Sequence, residues 1–95
     1  MKENDPIRLP INGILDLHTF RPRDVKRLIP DYLNECRKKG IFEIYIIHGK
    51  GKGILREKVH AVLRRLPEVV FFYPAPEQFG GWGATVVELS KKSSF

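Results

Sequence analysis

The chain has 95 residues, 42% of them hydrophobic and 29% charged, with 17 Lys and Arg against 11 Asp and Glu and a net charge of +6. That length supports one domain around a single core rather than two, and the basic balance favours a polyanionic partner, nucleic acid or an anionic surface. No apolar run reaches transmembrane length and the N-terminal MKENDPIRLP lacks a signal-peptide core, while the lone Cys36 excludes an internal disulfide and a metal-binding cysteine pair. A cytoplasmic monomer with no membrane partner is expected.

Residues 1–12 read as an N-terminal arm in which Ile7, Leu9 and Ile11 alternate, as if part of it ran along a sheet edge. Asn12-Gly13 marks a turn, and GILDL (13–17) is a short apolar strand running into His18. From Arg21 to Lys39 the pattern becomes helical: Val25, Leu28, Ile29, Tyr32, Leu33 and Cys36 follow the i, i+3, i+4, i+7 spacing of one buried stripe. Pro22 and Asp24 suit the first turn, Arg37 to Lys39 the last, and Gly40 the C-terminal cap. Pro30 removes one helical hydrogen bond, but the stripe continues past it, so a single kinked helix is expected rather than two.

FEIYIIH (42–48) is nearly all apolar and reads as a strand covered on both faces. After GKGKG a second helix runs from Ile54 to Leu66, with Leu55, Val59, Val62, Leu63 and Leu66 as its stripe and Pro67 as its stop. His60 lies beside that stripe and reads as a solvated surface residue. VVFFYPA (69–75) is a third strand, PEQFGGWG (76–83) a loop, and ATVVEL (84–89) a fourth strand with Thr85, Val87 and Leu89 on one face; residues 91–95 read as a flexible tail. The order β-α-β-α-β-β makes the first two strands parallel by right-handed crossover and the last two antiparallel. A two-layer α/β sandwich follows, a mixed four-stranded sheet with two helices packed on it.

Parallel strands present their C-terminal ends at one sheet edge, where ligands bind in α/β folds. The first strand ends in Asp16-Leu17-His18 and the second in His48-Gly49. Side chains alternate, so Asp16 and His18 share a face, and strands lie roughly 4.8 Å apart, so His18 and His48 are expected to reach one phosphate-sized group. Gly49, Gly51 and Gly53 then lead into a helix start whose free amides form an anion site, with Lys50, Lys52 and Arg56 around it. The GxxxxGK[ST] spacing of a nucleoside-triphosphate loop is absent, so a sugar-phosphate backbone fits better. Each feature alone has a plainer reading: a hydrogen-bonding histidine at a strand end, a common glycine turn, an aspartate bracing the RPRD turn. Their convergence on one edge favours a site. Asp16, His18 and His48 could in number ligate a metal, but a basic loop beside them suits an anion, so no metal ligand is assigned. Trp82 and Phe79, spaced by glycines, suit stacking on unpaired bases, or Trp82 folds back over the sheet.

Together LDLHTF, IIHGKGKGILR and GGWGATVVEL, spanning residues 13–90, resemble the Smr (small MutS-related) domain, here as a stand-alone small member. The resemblance implies an α/β sandwich similar to the C-terminal domain of bacterial translation initiation factor three. It also implies nucleic-acid binding, with DNA nicking or RNA cleavage in several members, and places the motif residues at Asp16, His18, His48, Gly49 and Gly51. An endonuclease acting on DNA or RNA is expected, the alternative being a non-catalytic module that binds nucleic acid or the ribosome. One histidine would take a proton from the nucleophile and the other protonate the leaving oxygen, with Asp16 orienting His18 or favouring its charged form. RNA supplies its own 2′-hydroxyl and needs no metal; DNA would require activated water, for which Mg2+ or Mn2+ is one option.

Overall fold

A computed structural model describes residues 9–91. The proposed alternation at Ile7 and the end of the tail, 92–95, lie outside them. The elements are β1 (Ile14–Asp16), α1 (Pro22–Lys38), β2 (Glu43–Ile47), α2 (Ile54–Arg65), β3 (Val69–Pro74) and β4 (Ala84–Leu89), with two single-turn 3₁₀ segments, Glu77–Phe79 and Gly81–Gly83, inside the last connection. Leu9 and Ile11 lie half-buried against the core without joining the sheet.

Helix α1 forms as its sequence dictates. Asp24 accepts a hydrogen bond from the Arg21 backbone N–H at 2.9 Å, capping the start. At the other end the Gly40 N–H donates to Arg37 O and the Ile41 N–H to Cys36 O, a Schellman closure with Gly40 at φ +77°. The helix is continuous through Pro30, and its buried residues are the six of the stripe. Buried Tyr32 accepts from the Gly13 N–H and donates to Ile14 O, tying α1 to the start of β1.

The sheet order is β1-β2-β4-β3: β1 and β2 are parallel, and β4 is antiparallel to both β2 and β3. Both helices pack on one face, against Leu15, Leu17, Ile44, Ile46, Val87 and Leu89. Among the described residues the other face carries no α-helix, only a smaller cluster of Ala75, Ala84 and Val86. Strand β2 is thus fully covered on the helix side alone, short of its all-apolar reading: Ile44 and Ile46 are fully buried, whereas on the opposite face Tyr45 is half-buried against that cluster, Ile47 is 37% exposed and Glu43 is open to solvent. Ile14, Phe71, Tyr73 and Phe79 are likewise exposed, with Tyr45 edge-on to Phe79. Among the described residues, no helix is long and apolar enough to cross a membrane.

Candidate nucleic-acid interface

Strand β1 pairs with β2 so that Asp16 lies opposite Ile47, and the Leu17 N–H extends the ladder to Ile47 O at 2.9 Å. The Asp16-Leu17-His18 and His48-Gly49 segments thus leave the sheet side by side at one edge. They differ in which way their side chains point. Leu15 and Leu17 are buried beneath the helices, which places Asp16 on the uncovered face; Ile44 and Ile46 are buried, and His48 continues their phase inward, only 8% exposed.

Asp16 and His18 form a pair of their own. Asp16 Oδ1 accepts from the His18 backbone N–H at 3.0 Å and from ring Nδ1 at 2.8 Å. Those two bonds, the backbone one first, hold the Asp16 carboxyl below the usual carboxylate range. An ionised carboxylate only accepts, so Nδ1 carries the proton and a neutral His18 presents its Nε2 lone pair outward. The His18 side chain is 75% exposed.

His48 is held from both sides. Its Nδ1 lies 3.0 Å from the Gly49 carbonyl and its Nε2 2.8 Å from Thr85 Oγ1. His60 Nε2 lies 3.0 Å from the same hydroxyl, and Thr85 itself is 1% exposed. The carbonyl can only accept, so His48 Nδ1 donates. In the neutral ring Nε2 then accepts, Thr85 donates to it, and His60 Nε2–H donates to Thr85. Burial lowers the pKa of both histidines, helped at His48 by Arg56 and at His60 by His48, Arg56 and Arg64, which keeps the chain neutral.

His60 is therefore no solvated surface residue: its ring lies 4.9 Å from Phe72 and 6.1 Å from His48, because α2 lays that side of the helix on β3 and β4. Thr85 and His60 are the residues that sequence reasoning missed. The available signal was a hydroxyl on the apolar face of the fourth strand.

The glycine loop is shaped by its neighbours. Gly49 and Gly53 lie at φ +83° and +82°, a left-handed conformation that side chains oppose. The Gly83 carbonyl accepts from the N–H groups of His48 and Gly49 at 3.0 and 2.9 Å, clasping the GGWG turn to the loop. That approach favours glycine, since a Cβ on Gly83 would lie 3.3 Å from Lys50 Cγ and the lysine side chain would have to shift by a few tenths of an ångström. With Gly53 as N-cap no side chain caps α2, leaving its first amides open to a ligand.

A cavity beside these amides is lined by His48, Gly49, Lys50, Gly51, Lys52, Gly53, Arg56 and Pro22. Trp82 is 60% exposed and lies under Arg56, whose guanidinium carbon is 5.1 Å from the ring centroid, so it faces the loop rather than folding over the sheet. Phe79 sits apart, beside Tyr45 on the uncovered face.

The structure thus brings His48, the loop glycines, Lys50, Lys52, Arg56 and Trp82 together, with the Asp16–His18 pair on the neighbouring strand end. Nothing joins His18 to His48, and among the described residues no group of three His, Cys, Asp or Glu side chains could hold a metal ion.

The Smr domain family model matches residues 15–90. The chain is 40% identical over 67 residues to the ribosome rescue factor SmrB of Buchnera aphidicola, covering 70% of this chain and 38% of that protein. It is 40% identical over 75 residues to the endonuclease MutS2 of Helicobacter pylori, covering 79% of this chain and 10% of that one. The crystal structure of the Smr domain of Thermus thermophilus MutS2 matches with a TM-score of 0.78 at 34% identity, covering 83% of this chain and 99% of that one. The chain spans less than half the length of either curated relative.

Proposed function

Because the chain belongs to the Smr domain family, we propose that it is a nucleic-acid-binding domain that cleaves phosphodiester bonds, with RNA as the favoured substrate. What carries this reading is the pairing of a general base with a phosphate cradle at one sheet edge. The Asp16–His18 pair exposes a ring nitrogen, and the adjacent loop offers open helix amides with Lys50, Lys52 and Arg56. The names of the two relatives, an endonuclease and a ribosome rescue factor, agree with a nucleic-acid substrate.

The scissile phosphate sits on the α2 amides, where three cations offset the charge that develops in the transition state. His18 Nε2 takes the proton of the 2′-hydroxyl, the 2′-oxygen attacks phosphorus, and the bond to the 5′-oxygen breaks. A 2′,3′-cyclic phosphate forms, and the departing oxygen takes a proton from water. Asp16 holds His18 in the tautomer this requires. Trp82 stacks a base next to the bond.

His48, with both nitrogens engaged inside the protein, braces the loop rather than exchanging protons with substrate. The described residues do not converge into a protein-held metal site, so no step is routed through Mg2+ or Mn2+. The second reading, a non-catalytic clamp on nucleic acid or ribosome, draws on that same engagement of His48, which leaves a single histidine for chemistry.

The test incubates labelled single-stranded RNA, duplex DNA and branched DNA with the protein, in EDTA or with Mg2+ or Mn2+. Cleavage of RNA in EDTA with cyclic-phosphate ends is expected. His18→Ala should slow it by about 10²- to 10⁴-fold, the usual share of a general base, with binding retained. Binding without products on every substrate would leave the clamp.

A further inference from the structure

We propose that the cleft between α1 and α2 is a second nucleic-acid contact, carrying the single-stranded segment that flanks the phosphate held at the glycine loop. This rests on the reading of that loop as a phosphate site. The cleft is rimmed by Arg23 and Lys26 from α1 and by Lys58 and Arg65 from α2, over a floor that includes Pro30 and Val62, and it encloses about 490 Å³. Among the described residues no acidic side chain lines it. The four cations are exposed, and among the described residues none of them forms an ion pair, the pairs there being His18–Asp16 and Lys38–Glu35.

Like charges facing each other across one cleft repel, and a polyanion lying between them removes that repulsion. Continuity with the loop selects the occupant. Pro22 lines both this cleft and the cavity of the glycine loop, so the two cavities adjoin at that residue. A strand with one phosphate on the α2 amides has a direct path past Pro22 into the cleft. There its phosphates meet the rim and its bases meet proline and aliphatic surface. An acidic amphipathic peptide could satisfy the same rim, but it has no reason to extend from a phosphate cradle.

The test measures affinity by fluorescence anisotropy in a common His18→Ala background, which keeps the RNA intact, using oligomers of roughly 4 and roughly 12 nucleotides to separate a one-site from a two-site span. Replacing the rim as Arg23→Gln, Lys26→Gln, Lys58→Gln and Arg65→Gln should weaken the long oligomer at least tenfold. It should lower the salt slope by about 0.7 for each phosphate that the rim no longer neutralises, with the short oligomer unchanged. Lys50→Gln with Lys52→Gln should weaken both oligomers.

Equal effects of the rim changes on the two oligomers, or none on either, would overturn the cleft. So would loss of binding to an acidic amphipathic peptide with RNA affinity intact. Absence of RNA binding by the unsubstituted rim would overturn cleft and loop together, whereas binding without cleavage by the native chain defeats only the catalytic reading.

Discussion

Thr85 joins two histidines that are far from it in sequence. Its hydroxyl donates to His48 and accepts from His60, and His48 in turn donates to the carbonyl that starts the glycine loop. Thr85→Val keeps the shape but leaves two ring nitrogens without partners. A loss of about 1–3 kcal/mol is expected, the cost of unsatisfied buried polar groups, to be measured by urea unfolding.

The same chain sets a pH dependence. Both histidine pKa values are lowered by folding, so the unfolded state binds more protons as pH falls below the ordinary histidine value of about 6.5. The stability they contribute is complete above that value and is lost on descent toward the folded values. A doubly charged pair would also leave the Thr85 hydroxyl proton without an acceptor. Melting temperature should therefore fall as pH drops below about 6.5, and fall less in His60→Gln, whose amide can still donate to Thr85.

The glycine loop is set by contacts with the GGWG turn as much as by its own glycines. Gly83 holds it through two backbone bonds, at a distance that a methyl group would disturb. Gly83→Ala should push Lys50 aside and loosen the clasp, weakening RNA binding several-fold by anisotropy while costing no more than about 1–2 kcal/mol of stability. Helix α1 was legible down to its six buried residues because a period of 3.6 has one phase and its ends carried their own caps. Strand β2 was not. In Ile44-Tyr45-Ile46-Ile47 every position is apolar, so nothing local shows which alternate residues face the helices. The inward phase of His48, and its separation from Asp16 and His18, was hidden for that reason.

A sheet with both helices on one face makes a sharp prediction about the molecule as a whole. Ile46 and Ile47 are neighbours of identical chemistry, one fully buried beneath the helices and the other on the open face. Ile46→Ala should cost about 2–5 kcal/mol and Ile47→Ala no more than about 1 kcal/mol, as read from denaturant midpoints. Equal costs would mean that Ile47 is covered as fully as Ile46.

The element order, the parallel first pair, the antiparallel last pair and the meeting of both histidine motifs at one edge followed from periodicity, turn residues and crossover handedness. These are properties of local sequence and of chain connectivity. Only the tertiary structure decided which alternate residues of the second strand face the helices, that His48 turns inward to Thr85 and His60 while His18 stays in solvent, and that Gly83 closes the loop. Each of those depends on which side of a strand is buried, and that is settled by packing between elements distant in sequence.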